Sequence, residues 1–309
     1  MMNAEGFAPG HVTGVFVPVV EPKDPLARGS LGAGLVLDKG AWATVKVRKA
    51  DRPVLHMFKD GGPARLPVTA HALRSLLSSA GGKWSVETDV SHELPVAQGL
   101  GMSAAGTLAA SVALAQALNL THASAVRAAH LAELECHGGL GGISAILGGG
   151  VEVRRKAGLP PLGIVERTRS STPLLIAFLA RPLPSPPLLS NPAFLRRVRE
   201  AGEDLLGELP SPPVSVERLF QVSSRFTDAL GLAPPLLRKA IDTCRESGAL
   251  IAQAMLGHTL FIRGADRELR QWLVQKGFRV VDVRVGSHGP QVRSLPSGPR
   301  QVRGTVRGA

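Results

Sequence analysis

The chain is expected to fold as an α+β protein of two domains. β-Branched segments broken by Gly-rich turns fill its first third. A glycine-rich loop then opens onto two helices of small apolar residues. A Pro/Gly cluster at 158–163 separates this region from a second half in which helices lie between strands.

In chain order, Val12–Val20 is β-branched and apolar, and Leu35–Leu37 and Ala43–Val47 read as further strands. Thr69–Ala80 has the pattern of a helix stopped by Gly81 and Gly82, and Trp84–Thr88 alternates as a strand does. After a loop over Ser91–Gly101, a long helix is expected over Ser103–Asn119 and a second over Ala123–His137. A glycine loop follows over Gly138–Gly142, and Gly148–Gly150 leads to a strand at Val151–Arg154. The second half starts with a strand at Leu174–Leu179. Helices follow at Pro192–Leu206, Val216–Leu230 and Pro235–Ser247, and strands Thr259–Ile262 and Arg279–Val285 flank a helix at Asp266–Lys276. That order suggests helices on one face of a sheet. The domains are expected at 1–163 and 164–288, with a basic flexible tail at 289–309 holding Arg293, Arg300, Arg303 and Arg307 and no acid.

Hydrophobic residues make up 44% of the 309, enough for a substantial core, and charged residues only 19%. The longest apolar runs, Val12–Val20 and Leu108–Leu120, fall short of the roughly 20 residues that cross a bilayer. No basic-then-apolar leader is visible. Cys136 and Cys244 are the only cysteines, which make neither a disulfide framework nor a four-ligand zinc site. A cytoplasmic enzyme is expected. The net charge of +12 suits anionic small molecules as well as nucleic acid. Aromatics at 4% and the absence of Tyr argue against a single-strand stacking platform.

The strongest local feature is Pro95-Val96-Ala97-Gln98-Gly99-Leu100-Gly101-Met102-Ser103-Ala104-Ala105. Its glycines allow a tight turn, Ser103 stands where an N-cap belongs, and a helix start is an anion site suited to a triphosphate. The Gly-Lys-Ser/Thr ending of a P-loop is missing, and no strand directly precedes the loop as in a dinucleotide fingerprint. On the second helix, His130, Glu133 and His137 recur at i, i+3 and i+7 on one face. Glu133 and the Ser103 hydroxyl are hard oxygen donors of the kind Mg²⁺ takes beside nucleotide phosphates. The spacing is not that of a zinc His-Glu-x-x-His site.

The Pro95–Ala105 string resembles the ATP-binding motif of the GHMP kinases (galactokinase, homoserine kinase, mevalonate kinase), with Met102 where serine is more frequent. The resemblance implies an N-terminal α+β domain, a ferredoxin-like C-terminal domain and substrate between them. It also implies ATP phosphates held by Pro95, Gly99, Leu100, Gly101, Met102, Ser103, Ala104 and Ala105, with Mg²⁺ held by Ser103 and Glu133. Phe7-Ala8-Pro9-Gly10-His11-Val12-Thr13-Gly14-Val15-Phe16 and Asp24-Pro25-Leu26-Ala27-Arg28-Gly29-Ser30-Leu31-Gly32-Ala33-Gly34 resemble archaeal-type pantoate kinases, and Leu183–Leu188 and Ala254–Phe261 are recognisable later segments. This narrower resemblance covers about 290 residues and implies phosphorylation of pantoate in coenzyme A synthesis, with substrate held by Ser30, His130, Arg154 and Ser185. Such kinases are often homodimers, though the sequence marks no interface. The competing expectations are a kinase for mevalonate or homoserine, and an impaired ATP-binding or nucleic-acid-binding homologue.

One departure stands out. The family reads Gly-Leu-Gly-Asp after the helix, and the Asp acts there as base; this chain reads Gly139-Leu140-Gly141-Gly142. Loss of a base costs about 3–5 kcal/mol, less than the roughly 7–11 kcal/mol that positioning supplies. A slower or differently assisted kinase is therefore expected, with His130 or His137 as substitute proton acceptor and Asp at position 142 raising turnover.

Overall fold

The computed structural model describes residues 2–179 and 191–295. Strands β1 (Met2–Val19) and β2 (Gly29–Lys49) form a long antiparallel hairpin around which an eight-stranded sheet is built. β5 (Trp84–His92) pairs with β2, followed outward by β3 (Val54–Lys59) and β4 (Gly62–Pro63); β3 runs parallel to β5. β6 (Val151–Lys156) pairs with β2 beyond its bend, and β7 (Ile164–Thr168) pairs with β6. The hairpin bends because its register shifts between Pro9 and His11 and again between Thr13 and Val15. Such bulges twist a strand and re-aim its side chains.

Helix α1 (Pro67–Ala80), α2 (Met102–Ala117) and α3 (His122–Glu135) cover this sheet, and a single turn α4 (Gly142–Ala145) follows the second glycine loop. Every residue of α2 except Ser103 and Gln116 is buried. A helix apolar all round belongs in the middle of a core, and its Ala-rich surface lets β1, α1 and α3 approach closely.

In the second half, β8 (Pro173–Phe178), β9 (Leu250–Gln253), β10 (Thr259–Arg263) and β11 (Arg279–Arg284) make an antiparallel sheet in the order β11-β8-β10-β9. Numbered within this half, the order is 4-1-3-2, the ferredoxin-like arrangement. Its helices are α5 (Pro192–Gly207), α6 (Val216–Leu230), α7 (Pro235–Glu246) and α8 (Arg267–Gln275). They do not share one face as expected. Ile176 and Phe178 belong to the main core with Phe220 and Phe226 of α6, whereas Leu175 and Ala177 join Ile241 of α7 and Leu273 of α8. Alternation along β8 therefore buries both faces. Phe16 of β1 stacks edge-on against Phe226 at 6.2 Å, so the main core is continuous between the two sheets.

Two expected boundaries move. The first sheet does not stop at 163, because β7 continues it to Thr168. The expected flexible tail begins as β12 (Gln291–Leu295), which pairs with Asn3–Phe7 at the edge of β1, with Arg293 bonded to Glu5 at 2.5 Å. Its antiparallel pairing covers the edge of β1, a long-range contact hidden by the surrounding Gly, Pro and Ser. Among the described residues, no helix is long and apolar enough to cross a membrane.

Candidate active site

A cleft of about 150 Å³ opens where the two sheets meet. One wall is the first glycine loop, contributing Ala97 and Gly99–Ala104, and another is the second loop, Gly138–Gly142. His11, Thr13 and Phe16 of β1, Ser30 of β2, Glu133 of α3 and Arg154 of β6 complete the first-half lining, with Met255 and Leu256 reaching in from the second half. Two hydrogen bonds fix the junction: Met255 N–H donates to the Thr13 carbonyl at 2.9 Å, and the Gln98 side-chain Nε2 donates to the Leu179 carbonyl at 2.8 Å.

The first loop ends with Gly99 at φ 73° and Gly101 at φ 66°, left-handed backbone that glycine enters without a side-chain clash. Gly101, not Ser103, is the N-cap of α2, and no side chain caps it. The first intrahelical bond runs from Ala105 N–H to the Gly101 carbonyl at 2.9 Å. The N–H groups of Met102, Ser103 and Ala104 thus have no intrahelical acceptor and stand at the positive end of the helix. Ser103 is an exposed position of α2, so its hydroxyl is spared from capping and opens to the cleft. Pro95 and Ala105 frame this loop without lining the cleft.

Glu133 is buried to 3% exposure in the cleft. Among the described residues no basic side chain pairs with it. Burial pushes its carboxyl up from 4.5 to about 7, opposed only by a bond from the Ile143 N–H. A buried, unpaired carboxylate is costly, and its oxygens lie beside Gly139 and Gly142 rather than a cation. This is a donor set that fits a divalent ion completed by phosphate oxygens and water.

Across the cleft, Arg154 is 3% exposed, and its Nε and Nη2 have no partner among the described residues. Its Nη1 reaches Glu152 Oε1 at 3.3 Å and the Gly141 carbonyl at 3.3 Å. Glu152 is fully buried. Burial alone would raise its pKa, but the Arg154 charge and the His11 bond hold it below the usual carboxylate value. Two N–H groups of a guanidinium left free in a cleft, beside Ser30, make a fork for an incoming carboxylate.

The other expected site residues fare differently. His130 is buried and does not line the cleft; it bonds to the backbone at Pro25 and Arg28, ahead of Ser30. Burial lowers its pKa, and its Nε2 is unpartnered. His137 does not share a helical face with Glu133: α3 ends at Glu135, and His137 is an exposed loop residue at φ 52°. Ser185 lies outside the described residues. His11, Thr13, Phe16, Met255 and Leu256 were not expected in the site, although the first three lie in the Phe7–Phe16 string and the last two in the Ala254–Phe261 string that carry the family resemblance.

Position 142 has little room. A Cβ there would sit 2.9 Å from the Ala104 Cβ and 3.2 Å from Glu133 Oε2. The expectation that Asp at 142 raises turnover is therefore revised: Gly142→Asp forces α2 and α4 apart and sets a second carboxylate against Glu133. Overpacking of about 1–3 kcal/mol corresponds to a melting temperature lower by roughly 2–5 °C for a chain of 309 residues. A thermal melt of Gly142→Asp beside Gly142→Asp/Ala104→Gly checks this, with the second change restoring part of the loss.

The description "GHMP kinases N terminal domain" matches residues 67–150, which include both glycine loops, Ser103 and Glu133. A pantoate kinase of Thermococcus kodakarensis is 30% identical over 277 residues, covering 86% of this chain and 89% of that protein. The chain belongs to the pantoate kinase family of GHMP kinases. A second family member, from Methanospirillum hungatei, is 28% identical over 302 residues, with 94% and 97% coverage. A solved "phosphotransferase related to CoA biosynthesis pathway" superposes with a TM-score of 0.84 at 28% identity, covering 94% of this chain and 99% of that one. A homoserine kinase of Cytophaga hutchinsonii, at 18% identity and a TM-score of 0.64, shares the fold.

Proposed function

We propose that this chain transfers the γ-phosphoryl group of ATP to the terminal hydroxyl of pantoate, giving 4-phosphopantoate for coenzyme A synthesis. The observation that carries the reading is the buried Arg154 fork facing the same cleft as the free N–H groups of α2. Two anion sites of different character in one cleft suit a carboxylate acceptor and a polyphosphate donor. Gly99–Ala104 would hold the phosphates, Ser103 and Glu133 would hold Mg²⁺, and Arg154 and Ser30 would hold the pantoate carboxylate and hydroxyls. Bound Mg²⁺ would neutralise charge on the transferring phosphoryl group. Phe16, Met255 and Leu256 offer an apolar wall suited to the two methyl groups of pantoate. His130, bonded to the turn before Ser30, would act on substrate by positioning that residue. The reading includes a cytoplasmic location and a homodimer, the latter open to light scattering.

The mevalonate and homoserine alternatives rest on a shared fold and are not favoured. An ATP-coupled assay with purified protein, Mg²⁺ and each of pantoate, mevalonate and homoserine decides among them. All three alcohols carry a carboxylate, so Arg154 alone does not separate them; the fit of the two pantoate methyl groups against Phe16, Met255 and Leu256 is expected to give pantoate a kcat/KM at least about 10-fold above the others. Equal or greater turnover of another alcohol would overturn the assignment. Ser103→Ala is expected to raise the Mg²⁺ requirement with little change in pantoate KM, since Ser103 would touch the ion and not the acceptor.

A further inference from the structure

The family's aspartate is Gly142 in this chain, and neither His130 nor His137 lines the cleft, so the proton of the attacking hydroxyl needs another destination. One chain of polar groups leads out of the cleft into the protein. Thr13 is half-buried on the cleft wall, His11 behind it is 3% exposed, and Glu152 behind that is 0% exposed. Thr13 Oγ1 lies 3.3 Å from His11 Nδ1, and His11 Nε2 lies 2.9 Å from Glu152 Oε1.

Resting on the kinase reading above, we infer that Thr13, His11 and Glu152 form the proton relay of this enzyme, with Thr13 Oγ1 as the group that meets the substrate hydroxyl. The pantoate O–H bond breaks as its oxygen bonds to the γ-phosphorus, and ADP leaves with the electron pair of the broken P–O bond. The released proton goes to Thr13 Oγ1, whose own proton passes to His11 Nδ1. The imidazolium so formed is neutralised by Glu152.

Each link has a structural reason. Glu152, held ionised by Arg154, accepts from Nε2–H and so leaves Nδ1 as the acceptor of the neutral ring. The ring stays neutral and able to accept because burial lowers its pKa, with the charges of Arg154 on β6 and Arg167 on β7 adding to that and Glu152 opposing it. Among the described residues Glu133 is the carboxylate that lines the cleft, and Glu152 lies behind the lining. Position comes from the bulges of β1. They turn His11 toward Gly34, where a Cβ would stand 2.5 Å from Nε2, and free the His11 N–H to bond the Leu100 carbonyl at 3.1 Å. The relay therefore lies between the loop that would hold the phosphates and the Arg154 fork that would hold the acceptor. The 3.3 Å link is long, as catalytic hydrogen bonds without substrate often are.

Thr13→Val keeps the shape and removes the hydroxyl; Thr13→Ser keeps the hydroxyl. With wild-type turnover of pantoate established first, Thr13→Val is expected to lower kcat about 10²-fold or more while nucleotide affinity stays within about threefold, and Thr13→Ser is expected to recover most of the rate. At saturating Mg·ATP and pantoate, kcat is expected to fall on acidification as His11 protonates, and Glu152→Gln, which removes its carboxylate partner, is expected to move that fall to lower pH. Thr13→Val at near wild-type kcat, or Thr13→Ser as slow as Thr13→Val, overturns the relay. So does an acid limb unmoved in Glu152→Gln, a readout that stands even if Thr13→Val fails to fold. Absence of wild-type turnover would instead overturn the kinase reading.

Discussion

Arg154→Gln is expected to raise the KM for pantoate about 10²–10³-fold while the KM for ATP moves by less than about threefold. Nε and Nη2 are buried with no partner among the described residues, so a bound carboxylate would find both donors desolvated and pre-aimed. Removing one partner of such a buried charge pair costs about 3–5 kcal/mol, and each 1.4 kcal/mol is tenfold in affinity. Arg154→Lys retains the charge without the fork and is expected to fall between, near tenfold. The same change removes the charge that, against burial, holds Glu152 ionised, so the Gln variant is expected to melt lower as well. Steady-state kinetics with each substrate varied in turn, together with a thermal melt, separate the two effects.

Glu133→Gln is expected to lower kcat by about 10³-fold, since a metal ion on a transferring phosphoryl group is worth several kcal/mol. It carries a second signature, in the ligand-free protein. With its pKa raised from 4.5 to about 7, the native state binds this proton more tightly than the unfolded chain does. That contribution is full below pH 4.5 and is lost as pH rises through 7, a change of about 3 kcal/mol at 1.36 kcal/mol per pH unit. His11 works in the opposite sense, because its lowered pKa favours unfolding as the pH falls. The comparison of wild type with Glu133→Gln isolates the carboxylate. The stability advantage of wild type over the variant is expected to shrink between pH 5 and pH 8 in denaturant titrations, and Mg²⁺ with nucleotide is expected to reverse that trend. A pH-independent difference between the two would mean that Glu133 is not the buried, unpaired acid described.

What the sequence revealed of this site follows from the range of the interactions. The Pro95–Ala105 loop and Glu133 were legible because their chemistry is local: two glycines before a helix, and one acid on an apolar helix face. Ser103 was placed at the right spot with the wrong role, because a side-chain N-cap and an N2 residue behind a left-handed glycine differ by only two positions. His137 was grouped with Glu133 on the assumption that α3 runs on to it, whereas the chain turns left-handed there. The His11–Glu152 pair is separated by 141 residues and is joined only when β1, β2 and β6 align. No local pattern marks it. The same holds for β12, whose partner strand lies at the other end of the chain.

One cleft is expected to contain two separable anion sites, an Mg²⁺–nucleotide site at Glu133 and a carboxylate site at Arg154. Equilibrium titration of wild type, Glu133→Gln and Arg154→Gln with pantoate, and separately with Mg²⁺ and a non-hydrolysable ATP analogue, tests it most directly. The expected result is a double dissociation: Arg154→Gln loses pantoate and keeps the nucleotide, and Glu133→Gln loses metal-dependent nucleotide affinity and keeps pantoate. Pantoate bound equally well by Arg154→Gln, or both ligands weakened alike by either change, would contradict it.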